Sequence, residues 1–399
     1  MNMHTRYLGL SLPHPFVCGA SPLSADLDMA LRLEDAGAAA IVMHSLFEEQ
    51  ILKDARRRTQ PQDRRVGAYA LSAGAYLEHL LRLKQRVGIP IIASLNGVDP
   101  DGWLQYARAL ERAGADALEL NFYHVATDPA EDGRAVEQRV LDVVAVVKES
   151  VRLPLAVKLA PFYSSLPNMA ARLDHMGVDG LVLFNRFYQA DIDPETRGTS
   201  VDLHLSGSAD LLQRLHAVAS LSGRVGMSLA ISGGVHDPVD AVKGVMAGAH
   251  VVQLVSALLR HGPKHLTFLR TMFEAWCDGH EYESLDALRG VASLATRDHA
   301  AERERNDYVS VLQSWSLSRL SATEGISEAR PTTEGVSTSR HAVNGGRDEV
   351  RNERFVVEHC SLPCAASVRG WEGRSRSGAS RREESLRTLG RRLRYRRGG

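Results

Sequence analysis

The segment LPLAVKLAPFYSSLPNMAARLDHMGVDGLVLFN, residues 153–185, carries the pattern on which the fold is read. Its first eight residues, 153–160, form an apolar run with no polar alternation, as expected of a strand buried on both faces. Residues 169–176 repeat their apolar positions at helical spacing, Gly177 stops that helix, and DGLVLFN (179–185) is a second buried run. Strand, helix and strand in this order predict a βαβ unit with parallel strands.

The unit recurs in both directions. Toward the amino terminus stand the apolar runs FVCGA (16–20), AAAIVM (38–43), IPIIASL (89–95) and DALELN (116–121). Helical spacing occupies 27–36, 76–87, 103–113 and 136–151 between them and ahead of residue 153. Toward the carboxyl terminus, a helix over 209–221 leads to MSLAISGG (227–234), and one over 238–246 leads to HVVQLVS (250–256). A helix–Gly–Ala–Asp–strand turn repeats at 36–38, 113–116, 176–179 and 247–250, with variations. About eight such units predict an α/β chain closed into a (β/α)8 TIM barrel. A doubly wound open sheet would call for a glycine-rich fingerprint after the first strand, and GASPLS (19–24) is not one. Beyond the last strand, 258–280 reads as a helix broken at Gly262-Pro263, and a further helical stretch ends near Trp315.

Composition bounds the class. The 399 residues are 44% apolar and 24% charged, ordinary for a soluble globular chain. There is no run of about 18 apolar residues to span a membrane, and residues 1–15 lack the pattern of a signal peptide. Four scattered cysteines do not make a disulfide framework. Cys360 and Cys364 have no second pair, so no metal site is expected, and the expected compartment is cytoplasmic. The net charge of zero hides an asymmetry: residues 316–399 hold 17 arginines, no lysine and 10 acidic residues, leaving the rest acidic by seven charges. The expected organisation is a barrel with carboxyl-terminal helices over 1–315 and a disordered tail over 316–399, rich in Arg, Ser and Gly, whose sparse apolar residues cannot offset the entropy of ordering. That tail reads as a basic arm for anionic partners or, in preference, as an incidental extension. The acidic body argues against a nucleic-acid partner.

In such a barrel the site lies at the carboxyl ends of the strands. The polar residues there are Ser21 beside Ala20, His44 and Ser45, Asn96, Asn121 with Tyr123 and His124, Lys158, Asn185 and Arg186, Gly233 and Gly234, and Ser256. Their convergence carries more weight than any one of them, since buried polar groups cost free energy without partners. SGG (232–234) lets the backbone approach an anion, and Ser256 opens a short helix aimed at the same corner; together they predict a phosphate site. Lys158, ending an apolar strand, either faces a polar ligand or forms a salt bridge with Glu119 on the neighbouring strand; the ligand is the preferred reading.

PFVCGASPLS (15–24), IIASLNG (91–97), DALELN (116–121), LAVKLAP (155–161), VLFN (182–185), LSG (205–207), ISGGV (231–235) and VQLVSALL (252–259) follow one another in the order of the dihydroorotate dehydrogenase family, which the chain resembles from about Tyr7 to Gly262. The resemblance implies an FMN-dependent oxidoreductase acting on CH–CH groups, of the class 1 kind and linked to pyrimidine biosynthesis, with a small-molecule substrate and room for a homodimer. It implies FMN contacts from Ala20, Ser21, Ser45, Asn121, Lys158 and Asn185, and phosphate or ribityl contacts from Ser206, Gly207, Gly233, Gly234 and Ser256. The family's lysine–serine pair reads His44-Ser45 here, which removes a cation. Its N-x-S-C-P-N loop reads NFYHVA (121–126), which puts His124, with Tyr123 beside it, at the catalytic base position and Ala126 at a substrate asparagine. The asparagine-rich substrate loop reads RVGAYALSAGAY (65–76). With the flavin half kept and the substrate half rebuilt, a substrate other than dihydroorotate is expected. Histidine suits the base role because its pKa lies near neutrality. Two rival readings stand beside this one: a flavin-free lyase or isomerase with Lys158 as a Schiff-base amine on a phosphorylated substrate, and a non-catalytic flavin-binding protein.

Overall fold

The computed structural model describes residues 1–50, 72–97, 100–186, 191–200, 204–295 and 300–314. The tail expected to be disordered (316–399) and the first part of the 65–76 loop lie outside the described residues. Eight parallel strands close a barrel: β3 (Phe16–Cys18), β4 (Ile41–Val42), β6 (Ile91–Asn96), β7 (Ala117–Asn121), β8 (Leu155–Leu159), β9 (Gly180–Leu183), β12 (Ser228–Ser232) and β13 (Val251–Leu254). Their order is sequential, with β13 returning to β3 and β4 pairing β6, and a short β5 (Leu46–Phe47) extends the β6 edge. Each of the eight expected strands is present. The helices Leu27–Asp35, Ala73–Arg86, Pro100–Arg112, Gly133–Ser150, Leu166–His175, Leu211–Leu221 and Pro238–Ala247 alternate with them. The break at Gly262-Pro263 separates helices Ser256–His261 and Lys264–Gly279.

The repeated αβ turn has a physical basis. Gly37, Gly114, Gly177 and Gly248 all sit at positive φ, between 76° and 120°, where a side chain would be strained. Two of these turns then deliver an aspartate that caps the strand before: the Asp116 carboxylate accepts from Ile91 N–H at 2.7 Å, and the Asp179 carboxylate accepts from Leu155 N–H at 2.8 Å. At the fourth turn His250 takes this place, its Nδ1 accepting from Leu229 N–H at 3.0 Å.

Two hairpins carry none of the signals read above. One, β10 (Asp191–Asp193) with β11 (Gly198–Ser200), leaves the barrel after β9. The other, β1 (Thr5–Tyr7) with β2 (Leu10–Leu12), turns through Leu8 and Gly9, both at positive φ, as a two-residue hairpin requires. Tyr7, Leu8 and Leu12 pack in one buried cluster with Val17, Val42, Ile92, Ala117, Ala156, Val182, Ala230 and Val251 from the barrel strands. A Cβ on Gly180 would collide with Leu8 Cδ2, so the glycine makes room for the plug. With the amino-terminal end filled by hydrocarbon, the polar interior is confined to the other half of the barrel.

No helix among the described residues is long and apolar enough to cross a membrane. Among the same residues no group of His, Cys, Asp and Glu could hold a metal, and Cys18 and Cys277 are buried free thiols.

Candidate active site

Above the apolar plug the inward positions turn polar. Glu119 on β7, Lys158 on β8 and Gln253 on β13 are all buried, with no more than 3% exposure. Lys158 Nζ stands 3.4 Å from Glu119 Oε1 and 3.4 Å from Gln253 Oε1, and Gln253 Nε2 donates to Glu119 Oε2 at 2.9 Å. The salt bridge weighed for Lys158 from the sequence is therefore present. Both contacts are long for an ammonium, whose charged hydrogen bonds close to about 2.7–2.9 Å.

Level with Lys158, and two residues beyond Glu119 on β7, Asn121 pairs in register with Lys158 and with Asn96. Asn185 Nδ2 donates to Asn121 Oδ1 at 2.8 Å, which fixes the Asn121 amide so that its Nδ2 faces Ser45 Oγ at 3.4 Å. Ser45 Oγ in turn shares a 2.8 Å hydrogen bond with Ser94 Oγ. The Tyr76 hydroxyl, buried and raised by desolvation, donates to Ser94 O and accepts from Ser94 N–H. A largely buried chain of amides and hydroxyls thus spans β4 to β9, and Ser21, just after β3, is also buried. Ala20 is half-buried at the same strand end.

A second corner forms where the loops after β9, β12 and β13 meet. Ser256 Oγ accepts from Ser206 N–H at 3.1 Å, and Ser206 Oγ accepts from Gly234 N–H at 3.1 Å. Gly233 and Gly234 both have φ of +85°. A Cβ on Gly234 would lie 2.6 Å from Leu211 N and 2.7 Å from Leu211 Cα, backbone atoms that cannot yield, whereas a Cβ on Gly207 would meet open space. Behind the loops, buried Arg214 donates to Ser232 O and Asp210 O, and burial lowers its pKa. Buried Asp240 ties the corner by accepting from Ser208 Oγ and from the N–H groups of His236 and Asp237.

His44 occupies the place where a family lysine was expected. Burial, with His79 nearby, holds its pKa down to about 4, so it is neutral at neutral pH and supplies no cation. His124 lies in the loop after β7, held against the outer helix: Arg139 Nη1 donates to its Nε2 at 2.9 Å, and Glu131 Oε2 is 3.4 Å away. Glu131 and Arg139 are themselves paired, which lowers the Glu131 pKa. Tyr123 precedes it, half-buried.

The structure therefore gathers Ser45, Asn121, Lys158 and Asn185 in one group and Ser206, Gly233, Gly234 and Ser256 in another, while His124 is engaged with the outer helix. Sequence reasoning passed over Gln253, Ser94, Arg214 and Asp240. The first two carry a legible signal, a polar residue inside an otherwise apolar strand (VVQLV and IIASL); Arg214 and Asp240 sit on amphipathic helices, where nothing separates them from solvated charges.

A closed parallel barrel, plugged at one end and lined at the other by amides, hydroxyls and a buried lysine, defines a TIM-barrel enzyme. Residues 55–272 match the model of the dihydroorotate dehydrogenase family, and the chain belongs to that family. It is 27% identical over 299 residues to the catalytic subunit of dihydroorotate dehydrogenase B (NAD(+)) of Thermoplasma acidophilum, covering 73% of this chain and 99% of the relative. It is 32% identical over 244 residues to an Aeropyrum pernix protein assigned as dihydroorotate dehydrogenase A (fumarate), covering 58% and 77%. It is 20% identical over 325 residues to the NAD-dependent dihydropyrimidine dehydrogenase subunit PreA of Escherichia coli, covering 72% and 76%. Enzymes of this family are flavoproteins, and the chain is a dehydrogenase of their type.

Proposed function

We propose that the chain is an FMN-dependent oxidoreductase that interconverts a CH–CH single bond and a double bond in a small ring substrate of the pyrimidine kind. The observation that carries the choice of cofactor is the corner made by Ser206, Gly234 and Ser256. There a glycine backbone is held by a serine hydroxyl at 3.1 Å, in a position that excludes any side chain. Such a corner suits a terminal phosphate, with Gly207 and Gly233 beside it. In this reading Ala20, Ser21, Ser45, Asn121 and Asn185 would hold the flavin ring, and the buried Lys158 ammonium would supply positive charge beside it. The residues fit the group: the amides are oriented by one another, and among the described residues the hydrogen-bond contacts of Lys158 are both long, at 3.4 Å.

Bound FMN supplies the hydride acceptor; the protein supplies position and charge. Lys158 favours negative charge at the mouth, and the Asn121–Asn185 pair keeps two amides in fixed orientation. His124 takes the substrate proton, with Tyr123 as its neighbour in the same loop. Arginine can only donate, so the contact with Arg139 engages the lone pair of Nε2, and substrate entry must release that contact for His124 to act. His124→Ala is then expected to lower turnover by about 100-fold or more, and unchanged turnover would remove the role.

A substrate other than dihydroorotate is favoured by neutral His44 and by Ala126. In this reading the enzyme is cytoplasmic and works with a second protein subunit, as the names of its relatives suggest, or as a homodimer. The phosphate assignment is tested by measuring affinity for FMN and for riboflavin. FMN is expected to bind at least 100-fold more tightly, and Gly234→Ala to erase most of that difference. Equal affinities would place the phosphate elsewhere. The lyase reading would instead require borohydride to trap a substrate on Lys158.

A further inference from the structure

Lys158 is joined by Glu119 and Gln253 in a closed ring of three buried side chains. Gln253 is fully buried in β13, and β12 and β9 separate it from β8 along the sheet, so its contacts cross the barrel interior. Its amide does two things that no hydrocarbon could do. Nε2 donates to Glu119 Oε2, the oxygen not in contact with Lys158 Nζ, and Oε1 faces the Lys158 ammonium. The stronger of these bonds, at 2.9 Å, is the one to the carboxylate; the two contacts to the ammonium are both 3.4 Å. Glu119 is thus anchored by a neutral partner and is not closed onto the lysine. The Tyr7 hydroxyl, delivered by the plug, faces the same pair, and burial with the Glu119 charge pushes it well above its ordinary value. The ring is therefore shielded from below, and its one cation lies level with Asn121, at the polar end.

We propose that Gln253 is a positioning residue for Lys158. By holding the Glu119 carboxylate back, it leaves the ammonium directed at the barrel mouth with part of its charge uncompensated, and so sets the reduction potential of a flavin bound there. This rests on the placement of Lys158 beside the flavin ring given above. Removing the Gln253 amide lets Glu119 close on Lys158, which weakens the positive field and disfavours the reduced, more anionic flavin. Removing the Glu119 charge does the opposite.

The test is the two-electron midpoint potential of the FMN-loaded full chain, measured by dye equilibration for the parent, Gln253→Met, Glu119→Gln and Lys158→Gln. Gln253→Met is expected to shift the ratio of reduced to oxidised flavin about tenfold toward the oxidised form, a fall of about 30 mV for a two-electron couple. Glu119→Gln is expected to shift it in the opposite direction, and Lys158→Gln to lower it further than Gln253→Met. A residue with only a packing role would not give opposite signs at two touching positions. Shifts of the same sign, or none while Lys158→Gln lowers the potential, overturn the role of Gln253 and leave Lys158 in place. An unchanged potential in Lys158→Gln overturns the placement of the lysine and this proposal with it. Should Gln253→Met fail to fold, Gln253→Leu reads the same contact.

Discussion

Gly234 is where the backbone and the site constrain each other most tightly. Its φ of +85° and the 2.6 Å approach of Leu211 N leave no room for a Cβ. Gly234→Ala should destabilise the fold by about 1–3 kcal/mol through strain alone, in addition to its effect on phosphate binding. A chemical denaturation midpoint equal to the parent's would show that the loop relaxes freely. The buried histidines act at the same scale. Burial holds His14, His44 and His250 each at about 4, helped by Arg270, His79 and Arg289 respectively. Their folded values lie below the unfolded value near 6.5, so they favour the fold fully above that pH. As pH falls from about 6.5 toward 4, the unfolded chain takes up protons that the folded chain refuses, and stability drops by about 1.4 kcal/mol per pH unit for each. Urea unfolding between pH 7 and 5 should show this slope, and His250→Asn should reduce it. A flat profile would mean that the three rings accept protons in place.

Among the elements, the αβ turn is the unit of construction. Asp179 accepts from Leu155 N–H at 2.8 Å and pairs with Lys148 at 2.5 Å, tying the start of β9 to the start of β8 and to the helix that precedes β8. Asp179→Ala should cost about 1–3 kcal/mol by leaving the strand's first N–H without its partner, seen as a lower melting temperature with unchanged cofactor affinity. These turns were legible because positive φ selects glycine and the cap selects aspartate, so chemistry at a fixed offset recurs in the sequence. The strands were legible because burial on both faces forces continuous apolar runs such as IIASL. The hairpin β1–β2 was not: its strands are three residues long, and Leu8 takes a positive φ that its side chain gives no reason to expect. For the site, strand-end residues such as Asn121, Lys158 and Asn185 could be picked out because strand ends can be read from sequence. Gln253 could not be linked to Glu119, because that contact crosses the barrel and depends on closure. His124 could be placed in its loop, but not against Arg139, 15 residues on.

The whole molecule has two unlike ends. One is sealed by Tyr7, Leu8 and Leu12, and the other presents amides, hydroxyls and a lysine. Leu8→Ala opens a cavity in the seal and should cost about 3 kcal/mol, with flavin affinity at the far end little changed. A large loss of flavin binding at equal stability would mean that the plug shapes the mouth as well. This polarity of the barrel is what suits it to a flavin. The decisive measurement is the absorbance spectrum of the purified, untagged protein, followed by denaturation and identification of any chromophore released. Flavin bands, release of FMN, and bleaching of the bands by a dihydropyrimidine under anaerobic conditions are expected. A colourless protein that also takes up no added FMN would contradict the flavin assignment.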